Sequence, residues 1–326
     1  MNHRHRMLIA LLSVSLPLLG LALAIIFGGP SRPAPMGSIN DPFKSVDFSD
    51  LPPISTFQAP DGQLLAYREY APTAAQSTGS VTLVHGSSAS SNSMHPMAKA
   101  LAAAGHRVYA LDIRGHGASG IKGQIGFIGQ LESDLEAFVQ AVHPPAPATL
   151  AGFSSGGGFV LRFAASEHRS RFNSYLLLSP FISQDAPNQR PDSGGWANVG
   201  VPRIVGLVML NALGVHTFNH LPVTRFALND KARSFLTPEY GFNLAMNFRP
   251  LSDFEANIRS VDRPCAIVAG TDDEAFYTNK LESIVRSAGK DWPVQLLPEI
   301  GHIPLTLEPT ALDASVRQVR KLHHAA

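Results

Sequence analysis

Cysteine is nearly absent. Cys265 is the only one in 326 residues, which excludes an intramolecular disulfide framework and any zinc site built on several thiolates. A surplus of charge of either sign is missing as well. The 26 Lys and Arg stand against 25 Asp and Glu, a formal net charge of +1. The chain therefore lacks the basic excess of a nucleic-acid binder and the high charge with low hydrophobicity of a disordered one. Charged residues are scarce altogether, at 16% against roughly 25% in soluble domains, which points to membrane proximity. No internal repeat or low-complexity tract is visible, and the length suits one large domain with an insertion.

Against that scarcity one apolar run stands out. Met7 to Phe27 carries no charged residue, and roughly 20 helical residues cross a hydrocarbon core about 30 Å thick. Arg4 and Arg6 precede it, basic at the end that stays cytoplasmic, and Gly28-Gly29-Pro30 closes it. The cleavable alternative, a signal peptide, has an apolar core of only about 7–15 residues. Residues 1–30 are expected to form an uncleaved N-terminal transmembrane helix, with the bulk of the chain on the non-cytoplasmic side. Secretion after signal cleavage is the alternative. Residues 31–53, rich in Pro, Ser and Asp, read as a linker, and 54–326 as the folded domain.

From residue 54 strands and helices alternate. Leu64–Tyr67, Val81–His85, Arg107–Asp112, Ala148–Gly152, Tyr175–Leu178, Ala266–Ala269 and Val294–Leu297 are short apolar runs bounded by turn residues, as buried strands are. Between and after them His95–Ala104, Leu131–Val142, Phe159–Ala165, Phe276–Ala288 and Ala311–Lys321 read as helices. Such alternation implies a mostly parallel sheet covered on both faces. Residues 182–262 show no strand rhythm and read as an insertion, whose apolar run Ile204–Leu210 suits a lid helix.

Chemistry is concentrated at the ends of the strands. Gly152-Phe153-Ser154-Ser155-Gly156 is a G-x-S-x-G between a strand and a helix. A serine on so tight a turn projects its oxygen above the sheet, and only very small residues two before and two after allow the close packing. The helix N-terminus behind it favours negative charge nearby. A serine hydroxyl needs a base to become a nucleophile. His302, in the loop after the last strand, lies where loops at the carboxyl ends of parallel strands converge. A carboxylate must fix the imidazole tautomer, and Asp272, Asp273 and Glu274 all follow a strand end. Asp112, Arg114 and His116 read as a hydrogen-bonded brace, His85 as part of a turn, and Cys265 as a buried apolar residue. No metal or organic cofactor is expected, and no nucleic-acid partner.

Residues 55–320 resemble the α/β-hydrolase family, and within it the branch of monoglyceride lipases, lysophospholipases and serine aminopeptidase-like hydrolases. His85-Gly86-Ser87, Asp112-Ile113-Arg114-Gly115-His116-Gly117, Gly152–Gly156 and Gly301-His302 match its motifs in order. The resemblance implies an α/β-hydrolase fold with a helical cap insertion, and selects Asp273 as the acid, three residues after the strand-end glycine. It implies oxyanion-hole N–H groups from Ser87 and Ser155. It also implies a serine hydrolase that cleaves carboxylic esters, of lipids or small acyl groups, through Ser154, Asp273, His302 and an acyl-enzyme. An aminopeptidase or amidase is the nearest alternative, and a membrane-tethered, non-catalytic binding protein a more distant one.

Overall fold

A computed structural model describes residues 3–73 and 77–325, with the side chains of residues 3–12 and 14 outside the description. Eight strands form the main sheet: β1 (Ile54–Gln58), β2 (Leu64–Tyr70), β3 (Ser80–Val84), β4 (Arg107–Leu111), β5 (Ala148–Phe153), β6 (Ser174–Leu178), β10 (Cys265–Gly270) and β11 (Val294–Leu297). Their order is β1-β2-β4-β3-β5-β6-β10-β11. The β1–β2 and β2–β4 pairs are antiparallel and every other pair is parallel. Every residue of β3, β5, β6 and β10 is buried. That is why these strands read as mostly apolar runs: a central parallel strand is covered on both faces.

Five helices support this sheet: α3 (His95–Ala103), α4 (Gln130–Val142), α5 (Ser155–Ala164), α10 (Leu281–Ser287) and α11 (Pro309–Ala325). Right-handed crossovers that step in opposite directions lie on opposite faces. The step from β3 to β4 runs one way and those from β4 to β5 and β5 to β6 the other, so α3 lies on one face and α4 and α5 on the other. Helix α11 packs beside α3. In α4, Leu131, Leu135 and Phe138 fall on one helical stripe and are buried. Phe138 meets Phe57, Tyr67 and Tyr109 edge-on, at 5.5–5.6 Å between ring centroids.

Two expectations need correction. The helix expected over Phe276–Ala288 begins only at Leu281, because Phe276 forms a β-bridge with Gln189 and the Tyr277 N–H donates to the Asn188 carbonyl, which holds that stretch extended against the insertion. The insertion between β6 and β10 is also not purely helical. Besides α6 (Val201–Ala212), α7 (Asp230–Phe235), α8 (Phe242–Asn247) and α9 (Phe254–Ser260), it contains a three-stranded antiparallel sheet, β7 (Ala197–Val199), β8 (Pro222–Phe226) and β9 (Glu239–Gly241). Strands of three to five residues are too short for alternation to register.

The expected membrane segment Met7–Phe27 falls within helix α1 (His3–Phe27). Much of its length lies outside the described side chains, and among the described residues no helix is long and apolar enough to cross a membrane. The end of α1 rests on α6, where Ile25 and Leu21 approach Gly206. Arg203 donates from Nε to the Ile25 carbonyl at 2.7 Å and from Nη2 to the Ile26 carbonyl at 2.9 Å, satisfying acceptors that a helix C-terminus leaves open. Residues 31–40 run on over the insertion, and further along Asp50 pairs with His95 and Lys99 of α3. Arg32 pairs with Asp230. Helix α2 (Gly37–Asn40) buries Ile39, and Asn40 and the Met36 N–H both donate to the Ala227 carbonyl.

Candidate active site

Ser154 links β5 to α5 with φ 57° and ψ −121°, a conformation that a residue with a β-carbon adopts only when its surroundings impose it. The two flanking glycines make it possible. A β-carbon on Gly152 would lie 2.7 Å from Val160 Cγ2 and closer still to the Gly156 carbonyl. One on Gly156 would lie 2.7 Å from the Val84 carbonyl and closer still to that of His85. The spacing of the motif is thus a steric requirement of packing α5 against β3 and β5. Ser88, Ser154, Ser179 and Glu299 all have positive φ, and each follows the carboxyl end of a sheet strand. Backbone strain of this kind tends to gather at functional edges.

Three side chains from distant parts of the sequence meet there. His302 Nε2 lies 3.0 Å from Ser154 Oγ, and His302 Nδ1 lies 2.8 Å from Asp273 Oδ2. All three residues are buried, Asp273 completely. The loops that bring them together are stitched by the backbone. Thr271 N–H donates to the Leu297 carbonyl and Asp272 N–H to that of Ile300. A β-carbon on Gly270 would collide with Ile300, so the acid loop and the histidine loop lie in direct contact.

Asp273 is the acid that reaches the imidazole. Asp272 is exposed and its side chain accepts from Thr271, while Glu274 Oε2 accepts the His302 backbone N–H at 2.9 Å. Burial alone would raise the Asp273 pKa. The charge of His302 and hydrogen bonds from His302, Ser179 and the Phe276 N–H outweigh it, and the net shift is downward. The carboxylate therefore stays ionised, its Oδ1 accepting from Ala275 and Phe276 and its Oδ2 from Ser179 Oγ at 2.6 Å. With Asp273 accepting, His302 carries its proton on Nδ1 and presents a bare Nε2 to Ser154, as a general base must.

Ser155 is the first residue of α5, and Ser87 follows Gly86, where a β-carbon would lie 3.3 Å from Ser154 Cβ. Among the described residues neither backbone N–H donates to another group of the chain, so both are free for a ligand. The remaining motif residues brace the loops. Asp112 accepts from the Ser91 and Ala118 N–H groups, and Arg114 grips Asp134 through Nε and Nη2 at 2.7 Å each. His85 Nδ1 faces its neighbour's carbonyl, that of Gly86. Among the described residues no cluster of His, Cys, Asp and Glu forms a metal site.

Sequence reasoning missed Ser179, Trp196 and Tyr240. Ser179 directly follows β6, so its strand-end position was the available signal. The other two lie in the insertion, where no motif marks them. Tyr240 Oη accepts the Ser88 N–H at 2.6 Å, and Trp196 Nε1 donates to Ser87 Oγ at 2.8 Å.

A mostly parallel sheet, a strained serine between strand and helix, and a histidine in the loop after the last strand define an α/β-hydrolase. The chain belongs to the serine aminopeptidase S33 family, whose model matches residues 75–309. Over 111 residues it is 34% identical to a monoacylglycerol lipase of Mycolicibacterium smegmatis, a match that covers 32% of this chain and 39% of that protein. Two solved structures share the fold. One is a soluble variant of monoglyceride lipase from Saccharomyces cerevisiae in complex with a substrate analogue (TM-score 0.63, 16% identity, 86% of this chain and 97% of that one). The other is a membrane phospholipase A described as a bacterial virulence factor (TM-score 0.56, 17% identity, 98% of this chain and 96% of that one).

Proposed function

We propose that the protein is a serine ester hydrolase acting on acyl esters of the monoacylglycerol or lysophospholipid kind. His302, oriented by Asp273, takes the proton of Ser154 as its oxygen attacks the ester carbonyl. The Ser87 and Ser155 N–H groups stabilise the developing oxyanion, and water activated by the same histidine releases the acyl group from Ser154. The observation that carries this reading is the unbroken hydrogen-bonded chain Ser154–His302–Asp273, at 3.0 and 2.8 Å. The rival reading, an aminopeptidase, needs an acid to hold the ammonium group of a peptide N-terminus, and substrate turnover separates the two. The test is labelling with a fluorophosphonate probe beside turnover of monoacylglycerols and aminoacyl amides. Ser154→Ala should abolish labelling and ester turnover while leaving the fold intact, and retained turnover defeats the assignment.

The N-terminal segment is part of the same proposal: an uncleaved membrane anchor that keeps the catalytic domain on the non-cytoplasmic side. The charge-free run Met7–Phe27 supports it, as do Leu19, Leu23 and Phe27 on α1 and Val205, Val208 and Met209 on the adjoining α6, all exposed. Arg203, the one charged residue of α6, turns its guanidinium toward the end of α1. Flotation with phosphatidylcholine vesicles should carry the full chain and leave a chain lacking residues 2–29 behind. Equal flotation of both would count against the anchor.

A further inference from the structure

The insertion grips the catalytic edge at the turn after β3. Ser88 in that turn has φ 69°, a left-handed conformation that a residue with a β-carbon does not keep unaided. What imposes it comes from the insertion. The Ser88 N–H donates to Tyr240 Oη at 2.6 Å and its Oγ to the Thr237 carbonyl at 2.6 Å, while its own carbonyl accepts from the Thr237 N–H at 2.9 Å. Every polar group of Ser88 is thus engaged by residues 237 and 240. One residue earlier, Ser87 Oγ accepts from Trp196 Nε1 at 2.8 Å.

Tyr240 is itself fixed from behind. His116 Nδ1 faces the carbonyls of Ile113 and Arg114, at 3.2 and 3.3 Å, so that nitrogen carries the proton. Nε2 is then the acceptor, and Tyr240 Oη donates to it at 2.6 Å. Burial drives the His116 pKa well below its ordinary value, which keeps Nε2 bare. The result is a relay of fixed polarity, from Ser88 N–H through the Tyr240 hydroxyl to His116. Trp196 is likewise set by its neighbours, stacked on Phe226 with 5.4 Å between ring centroids.

We infer that Tyr240 and Trp196 are positioning residues for the oxyanion hole: by clamping Ser87 and Ser88 they hold the turn in the shape the hole needs. This rests on the reading of Ser154 as nucleophile and of the Ser87 N–H as an oxyanion donor. Trp196 and Tyr240 are buried in one core with the strands of the main sheet, so the clamp is a fixed part of the fold.

The experiment compares the full-length protein with Tyr240→Phe, which removes one hydroxyl, and Trp196→Phe, which keeps an aromatic ring and removes one N–H. Steady-state hydrolysis of p-nitrophenyl butyrate gives kcat and KM, and an alkyl trifluoromethyl ketone, whose serine adduct carries an oxyanion, gives an inhibition constant. Each variant should lose about 10- to 100-fold in kcat with KM within about two-fold, and ketone affinity should fall in parallel, because loss of one oxyanion donor outright costs about 10²- to 10³-fold. Because both act on one turn, the double variant should lose less than the product of the single effects. Wild-type kcat and ketone affinity in both variants overturn the inference, and so does a fall in kcat with unchanged ketone affinity, which is general damage. Should Tyr240→Phe fail to fold, Trp196→Phe decides alone. Ser154→Ala run alongside separates the two levels. If it stays active, the nucleophile assignment fails; if it is inactive while both Phe variants are unimpaired, only the positioning role of Tyr240 and Trp196 fails.

Discussion

Replacing Asp273 by Asn tests the site with a change of one atom type. Both carboxylate oxygens are occupied: Oδ1 accepts from the Ala275 and Phe276 N–H groups at 2.8 and 2.9 Å, and Oδ2 from Ser179 Oγ and His302 Nδ1 at 2.6 and 2.8 Å. An asparagine must place its NH2 on one side or the other. At the Oδ1 position it would confront two backbone donors that cannot turn away. At the Oδ2 position it meets a hydroxyl that can rotate and an imidazole that can change tautomer, so the NH2 goes there. His302 Nδ1 then becomes the acceptor, and its proton moves to Nε2, 3.0 Å from Ser154 Oγ, where the site needs a base. Inverting the tautomer in a Ser-His-Asp site costs about 10⁴-fold in kcat, equivalent to about 5.5 kcal/mol of transition-state stabilisation. The fold should survive, since most of the hydrogen bonds are remade with reversed polarity. The assay is steady-state hydrolysis of p-nitrophenyl butyrate, with circular dichroism as the folding control and Asp272→Asn, at an exposed position, expected within two-fold of wild type. If Asp273→Asn stays within ten-fold of wild type, or Asp272→Asn loses activity on the 10³-fold scale, the tautomer argument is refuted.

Three further outcomes follow from the same geometry. Gly156→Ala should cost about 3 kcal/mol or more, because its β-carbon would stand 2.7 Å from the Val84 carbonyl, backbone that cannot swing aside; a urea melt reads the shift, and an unchanged midpoint refutes it. Arg114→Leu strips a buried partner from Asp134, whose side chain is 7% exposed. It should destabilise the fold by about 3–5 kcal/mol while kcat per folded molecule stays within about three-fold, and a selective loss of kcat would make Arg114 more than a brace. His106 has its pKa lowered to about 4 by burial first, then by the charges of His323 and Arg320. Between its ordinary value near 6.5 and about 4 the unfolded chain binds the proton and the folded chain does not, so stability falls as pH falls through that window, by up to about 3 kcal/mol. His106→Gln should flatten the fall in urea midpoint between pH 7 and pH 4.5, and an identical slope would sink the point.

Legibility followed burial and chain locality. β3, β5, β6 and β10 were plain because both of their faces are covered, so apolar residues dominate them and their few polar residues, Ser80, Thr82, Thr149 and Ser174, are small. Ser154 was plain because its constraint is local: the collisions that forbid side chains at Gly152 and Gly156 arise within one strand–turn–helix unit and its neighbour β3. Asp273 stood among three adjacent acids that residue types alone could not rank. What separates them in space is that Asp273 alone meets the imidazole, with its other oxygen held by the Ala275 and Phe276 N–H groups, while Asp272 is exposed and Glu274 takes the His302 backbone N–H. The late start of α10 has another cause, the pairing of Phe276 and Tyr277 with residues 188 and 189 of the insertion.

The insertion was opaque for the opposite reason. Its strands contribute only three to five residues each and pair across gaps in sequence, Ala197 with Phe226 and Arg225 with Glu239, so no periodicity builds up along the chain. Trp196 and Tyr240 look in sequence like ordinary aromatic packing, and each does pack, against Phe226 at 5.4 and 4.7 Å between ring centroids. Their polar ends are what differ. A buried indole N–H and a buried phenol both need partners; here the indole donates to Ser87 Oγ, and the phenol donates to His116 Nε2 while accepting the Ser88 N–H. Satisfying them draws a poorly patterned segment onto a strained turn, and the Thr237–Ser88 backbone pair fixes the register of that contact. The need of two aromatic residues for hydrogen-bond partners thus helps to join an insertion of weak sequence pattern to a strained turn, beside the bonds of Asn243 and Asn247 to residues 126–132.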